Sequence, residues 1–206
     1  MRCRRAGHGH GPGTAELTHG AGAVDPGRQE PLRWLLDREQ IRDVVNAYCR
    51  AVDRADLDAL FDLYTADGID HHTGFDGPVT EFVPWLRERL PALAGTQHII
   101  GTHISEVHGN EAAAESYATA VHWAEPTDDP ERNYISGVRY LDHLVRTAAG
   151  WKISERWAVR EWAVTTAGRG RPLSGGHAAS RTAADPLWDL LSAVRGEAAA
   201  PSPGLD

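Results

Sequence analysis

The chain has 206 residues, 41% of them hydrophobic, and a formal net charge of -8, which bounds it to one sizeable core and a single domain. An acidic balance with one lysine, Lys152, argues against nucleic acid or an anionic membrane as partner, since both need clustered cations. Cys3 and Cys49 are too few for a disulfide framework, and no apolar run approaches the roughly 20 residues of a membrane span.

Residues 1–31 are rich in Gly, His, Pro and Ala without periodicity, and predict a disordered tail. Their basic start, MRCRR, leads into HGHGPG instead of an apolar run, so no secretory signal and a cytoplasmic protein are expected. The folded domain is expected over 32–166. From 37 to 52, Ile41, Val44, Val45, Tyr48 and Val52 recur at helical spacing, and Asp37 with Gln40 predicts a capping box at the start. A second helix is expected in ADLDALFDLYTADG, with Asp56 as its cap, Leu57, Leu60, Phe61 and Tyr64 on one face, and Gly68 as its stop. A third, near 78–92, carries Phe82, Val83, Leu86 and Leu90, with Pro84 early in it.

The second half alternates. HIIGTHISEVHGNEAAAESYATAVHWAE predicts two strands around the turn HGNE, and GVRYLDHLVRTAAGWKISERWAVREW two more around TAAG. Over 167–206 the low-complexity character returns, with one short helix expected near 185–196, between Asp185 and Gly196. Helices followed by hairpins give an α+β class, the helices packed on one face of a curved antiparallel sheet.

Chemistry concentrates in a few places. TQHIIG puts His98 inside an apolar stretch, either as a satisfied core histidine or as the working group of a buried site. In SYATAVHWAE, strand parity puts His122 on one face with Ala118, Ala120 and Ala124, a wall of small residues that leaves room for a ligand or for a closely packed helix. Tyr117, Val121 and Trp123 take the opposite face. Asp53 ends the first apolar stripe and, with Asp56 the better cap, has no obvious structural task. Turned inward, its carboxylate would need a partner, and a buried histidine is a sensible one. Arg139 and Arg156 are candidates to pair with Glu155 or Asp142, or to meet an anionic substrate.

The pattern of Tyr48, Asp53, Asp56, Asp58, Ala59 and Leu60, then IDHH, TQHIIG, VHW and GWKI, resembles the SnoaL-like branch of the NTF2-like superfamily. Within it the likeness is nearest to the scytalone dehydratases, whose TQHFIG segment is close to Thr96-Gln97-His98-Ile99-Ile100-Gly101, and it spans roughly residues 33–160. The resemblance implies a cone-shaped barrel with a deep pocket, an aspartate–histidine dyad carried over to Asp53 and His98, and a second pocket histidine at His122. Departures from the family pattern are Val52 in place of a tyrosine, His71 or His72 in place of another, and Tyr140 in place of an asparagine. The base is kept while the groups that hold the substrate are exchanged.

The expected activity is that of a lyase or isomerase needing no cofactor. His98, oriented by Asp53, would take a proton alpha to the carbonyl of a small polyketide-like or alicyclic substrate. Tyr140, His71 or His72, and His122 would meet the developing charge, with His122 able to return a proton to a departing hydroxyl. Tyr48 and Trp85 are expected at the pocket edge. A metal is not expected, because the histidines lack ligand spacing, and no glycine-rich loop suggests a nucleotide. The competing reading is a noncatalytic NTF2-like assembly module, similar to the beta subunit of ring-hydroxylating dioxygenases. Either way the resemblance implies a homo-oligomer, a trimer or a dimer.

Overall fold

In the computed structural model, residues 31–124 and 133–165 are described, with the isolated positions 182, 190 and 192. The tail over 1–31, all but its last residue, and nearly all of the helix expected near 185–196 lie outside these residues. The element order is α1 (Pro31–Asp53), a 3-10 turn (Leu57–Ala59), α2 (Leu60–Leu63), β1 (Tyr64–His72), β2 (Phe75–Pro78) and α3 (Val79–Arg89), continued by a 3-10 turn (Leu90–Ala92). Four long strands complete it: β3 (Gly95–His108), β4 (Glu111–Trp123), β5 (Tyr134–Thr147) and β6 (Gly150–Thr165). The six strands form one sheet in the order β2-β1-β6-β5-β4-β3.

The helical stripe of α1 forms because Ile41, Val45, Tyr48 and Val52 can all be buried on one side, where α1 packs on β3 and β6. α3 covers β1 and β2 with Phe82 and Val83, which are fully buried. The helices therefore lie over the concave face of the sheet, and the α+β class is as expected. The outer face stays partly bare, with Ile104, Tyr117 and Trp157 all exposed.

Three local expectations are corrected. Asp37 does not cap a helix. α1 begins six residues earlier, at Pro31, and the buried Asp37 carboxylate accepts two hydrogen bonds of 2.6 Å from Arg146 and one of 3.2 Å from the Trp151 indole. Those bonds hold its carboxyl below the usual range despite the opposing effect of burial. The second helix stops at Leu63, not at Gly68; Tyr64 opens β1, and Asp56 makes no side-chain cap. The sheet is mixed, because β1 runs parallel to β6 while the other pairs are antiparallel. Parallel pairing needs a distant partner, so no local pattern announces it.

At the centre of the sheet, Arg156 and Asp142 face each other across β6 and β5 in two hydrogen bonds of 2.6 and 2.7 Å, both side chains fully buried. The Tyr48 and Tyr140 rings cover the guanidinium at 4.0 and 4.5 Å. Arg139 instead lies outside, between Glu115 and Glu161 at 2.7 and 2.5 Å. Removing one partner of a buried pair strands the other charge at about 3–5 kcal/mol. Asp142→Ala should therefore lower the urea unfolding midpoint steeply, and Arg139→Ala far less; equal losses would contradict this placement of charge.

Candidate active site

A cavity of about 180 Å³ opens between the helices and the concave face. Tyr48 and Val52 come from α1, Trp85 and Leu86 from α3, and His98, Ala120, His122, Ser136, Val138 and Tyr140 from the sheet. Of the alanine wall expected on β4, Ala120 lines the cavity beside His122, while Ala118 and Ala124 are buried without lining it.

Asp53 is the last residue of α1 and reaches across to β3. Its carboxylate accepts three hydrogen bonds: from the Thr96 hydroxyl at 2.9 Å, from the His98 backbone N–H at 2.9 Å, and from His98 Nδ1 at 2.7 Å. Burial opposes ionisation of Asp53, but these donors outweigh it and hold its carboxyl below the usual range. A carboxylate on Nδ1 fixes the ring tautomer, so that Nε2 carries the lone pair. Nε2 has no hydrogen-bond partner among the described residues, and the ring lines the cavity. This is the arrangement a general base requires.

His122 sits edge-on to His98 with ring centroids 5.8 Å apart, and stacks on Tyr134 at 4.1 Å. Its Nδ1 is buried with no partner among the described residues. Burial, reinforced by any positive charge on His98, pushes its pKa down to about 4. At neutral pH it is an uncharged imidazole, which can accept or donate a hydrogen bond but holds no spare proton.

The ambiguity on β1 resolves in favour of His72. His72 lines the cavity, with Nε2 3.4 Å from the Tyr48 hydroxyl and Nδ1 in a short hydrogen bond to Asp70. His71 is a correction: it points to the outer face, where it stacks on Trp157 at 3.8 Å and bonds Asp76 and Glu155 at 2.9 and 3.1 Å. Successive residues of a strand face opposite ways, so only one of the two could reach the pocket.

Tyr140 lines the cavity, edge-on to Tyr48 at 5.7 Å. Burial drives the pKa of both phenols far up, so both remain protonated donors. Trp85 lines the cavity with Arg89 stacked on it at 4.3 Å. Sequence reasoning missed Asp70, Tyr134, Ser136 and Arg160. Of these only Asp70 left a signal, two residues before His72 and so on its face of the strand. Among the described residues, no group of three His, Cys, Asp or Glu is placed to hold a metal ion. No described helix is long and apolar enough to cross a membrane.

The profile of the SnoaL-like domain matches residues 33–157. The chain belongs to the SnoaL-like family. A solved structure from Novosphingobium aromaticivorans described as an NTF2-like protein, 26% identical over 63% of this chain and 85% of that one with a TM-score of 0.50, agrees with a place in that superfamily. The uncharacterised protein Rv2910c of Mycobacterium tuberculosis is 28% identical over 125 residues, covering 59% of this chain and 84% of the relative. A candidate scytalone dehydratase from Novosphingobium aromaticivorans superposes with a TM-score of 0.58 at 18% identity, over 69% of this chain and 97% of that one. A hexachlorocyclohexane dehydrochlorinase, LinA type 2, does so at 0.59 and 17%, over 70% and 98%. At such identities these structures share the fold.

The depressed pKa of His122 has a measurable consequence. Between its ordinary value of 6.5 and about 4, the unfolded chain binds a proton at this residue that the folded chain refuses. Stability at this site therefore falls as pH drops through that window. His122→Gln should lose less stability than the wild type between neutral pH and pH about 4, read from urea midpoints. Identical acid sensitivity would contradict a buried, neutral His122.

Proposed function

We propose that the chain is a lyase or isomerase, needing no cofactor, for a small carbonyl compound with a compact, largely apolar ring skeleton. The observation that carries this reading is the Asp53–His98 pair, anchored by three hydrogen bonds, with His98 lining the cavity and its Nε2 without a partner among the described residues. His98 takes the proton alpha to the carbonyl, and Asp53 stabilises the imidazolium that forms. The negative charge that develops on oxygen is met by phenol and imidazole donors already in position, which need no reorganisation as the reaction proceeds.

Tyr48, Tyr140 and His72 are the donors nearest one another, their rings 5.7–6.4 Å apart. The Trp85, Leu86, Ala120 and Ala158 side chains suit a flat hydrocarbon frame. A leaving hydroxyl beta to the carbonyl gives dehydration, its absence gives isomerisation, and an internal electrophile gives cyclisation. The dehydratase and dehydrochlorinase among the structural neighbours carry out eliminations by name, which agrees with this chemistry.

The step common to all three outcomes is proton removal from carbon, and it can be read without knowing the natural substrate. Indanone and tetralone, incubated with the protein in heavy water, should exchange their alpha protons faster than in buffer, as followed by proton NMR. His98→Ala should slow that exchange by about 100-fold or more. Exchange at the wild-type rate in this variant would exclude His98 as the base. No exchange by the wild type with either ketone would favour a noncatalytic binding module.

A further inference from the structure

The cavity wall holds a second carboxylate–histidine pair, Asp70–His72, whose electrostatics differ from those of Asp53–His98. Asp70 is 0% exposed, and its oxygens are met by the Tyr64 hydroxyl at 2.5 Å and by His72 Nδ1. Among the described residues no backbone N–H donates to it, whereas Asp53 accepts one along with a threonine hydroxyl and keeps 15% of its side chain exposed. Asp53 thus has donors other than its histidine to meet its charge, whereas the enclosed Asp70 carboxylate shares its hydrogen bonds between a phenol and His72.

The groups facing this pair decide where its compensating charge comes from. Tyr64 and Tyr48 are neutral phenols, as is Tyr140. Phe82, stacked on His72 at 5.0 Å, carries no charge. Arg156, in register with Asp70 on β6, is the nearby permanent cation; its hydrogen bonds go to Asp142, and its buried Nη1 has no partner among the described residues. The group that both hydrogen-bonds Asp70 and lines the cavity is His72. We infer that His72, held by the buried Asp70, is the general acid of the pocket and works opposite His98, with Asp70 as its positioning residue. This rests on the proton-transfer reading above, and it assigns to His72 the role that sequence reasoning offered to His122, whose ring holds no spare proton at neutral pH.

For a beta-hydroxy ketone the step balances within the pocket. His98 Nε2 takes the alpha proton and the electrons of that C–H bond become the new C=C bond. The C–O bond breaks, and His72 Nε2–H gives its proton to the departing oxygen, which leaves as water. His98 then loses a proton to solvent and His72 regains one, so the net change is ketone to enone plus water.

Two measurements on the full-length chain test this. The first needs no substrate: proton–nitrogen NMR of the histidine rings at neutral pH, with the His72 signals identified by their loss in His72→Gln. His72 is expected doubly protonated in the wild type and singly protonated in Asp70→Asn; a neutral His72 unmoved by Asp70→Asn overturns the assignment. The second uses a beta-hydroxyindanone in heavy water, with exchange and indenone formation read in one sample. His72→Gln and Asp70→Asn are expected to slow elimination by about 100-fold, more than they slow alpha-proton exchange, and His98→Ala to lose both. Elimination at the wild-type rate in His72→Gln overturns the role of the acid. A wild type that neither exchanges nor eliminates counts against the proton-transfer reading instead, and the NMR result alone then decides the state of His72.

Discussion

A fully buried arginine in the middle of the sheet organises this molecule. Arg156 could not remain there unless its charge were met, and Asp142, directly across on β5, meets it with two hydrogen bonds. The flat faces of the guanidinium then carry Tyr48 from α1 and Tyr140 from β5. One ion pair thereby ties the long helix to the sheet and holds two phenols in the cavity lining. The hydrogen bonds of Arg156 go to Asp142, and Asp70, in register with it on β1, bonds Tyr64 and His72 instead.

The two aspartate–histidine pairs resemble each other in composition and differ in solvation. Asp53 sits at a helix end, partly exposed, with backbone and hydroxyl donors that stabilise its anion whatever the state of the imidazole. Asp70 sits on a strand, fully buried, bonded to the Tyr64 hydroxyl and to His72. The first environment suits taking a proton, the second giving one. His122 lies between these roles; burial keeps its ring neutral, so it can orient a substrate group without competing for protons.

How much of this was legible follows from the range of each interaction. The stripe of Ile41, Val45, Tyr48 and Val52 and the hairpins around HGNE and TAAG are local patterns, and they marked α1 and β3–β6 well. Asp37 misled because its partners, Arg146 and Trp151, lie 109 and 114 residues away, while Gln40 stood at capping distance. Leu57, Leu60, Phe61 and Tyr64 keep helical spacing across the point where the chain turns into β1, since Tyr64 is buried in either conformation. Residue chemistry alone left His98 open between core and site; the family likeness supplied Asp53 as its partner. His72 and Asp70 were within reach of parity, but choosing His72 over His71 required knowing which face of β1 turns inward, and that depends on the parallel pairing with β6.

The most direct test of the account is a crystal structure with naphthol, a planar mimic of an enol, bound to the protein. The account predicts a ring carbon within about 3.5 Å of His98 Nε2, the Asp53–His98 hydrogen bond intact, and the naphthol oxygen within hydrogen-bonding reach of His72 or Tyr48. Naphthol bound outside the cavity, or His98 Nε2 turned onto a protein group with the ligand out of reach, would contradict it.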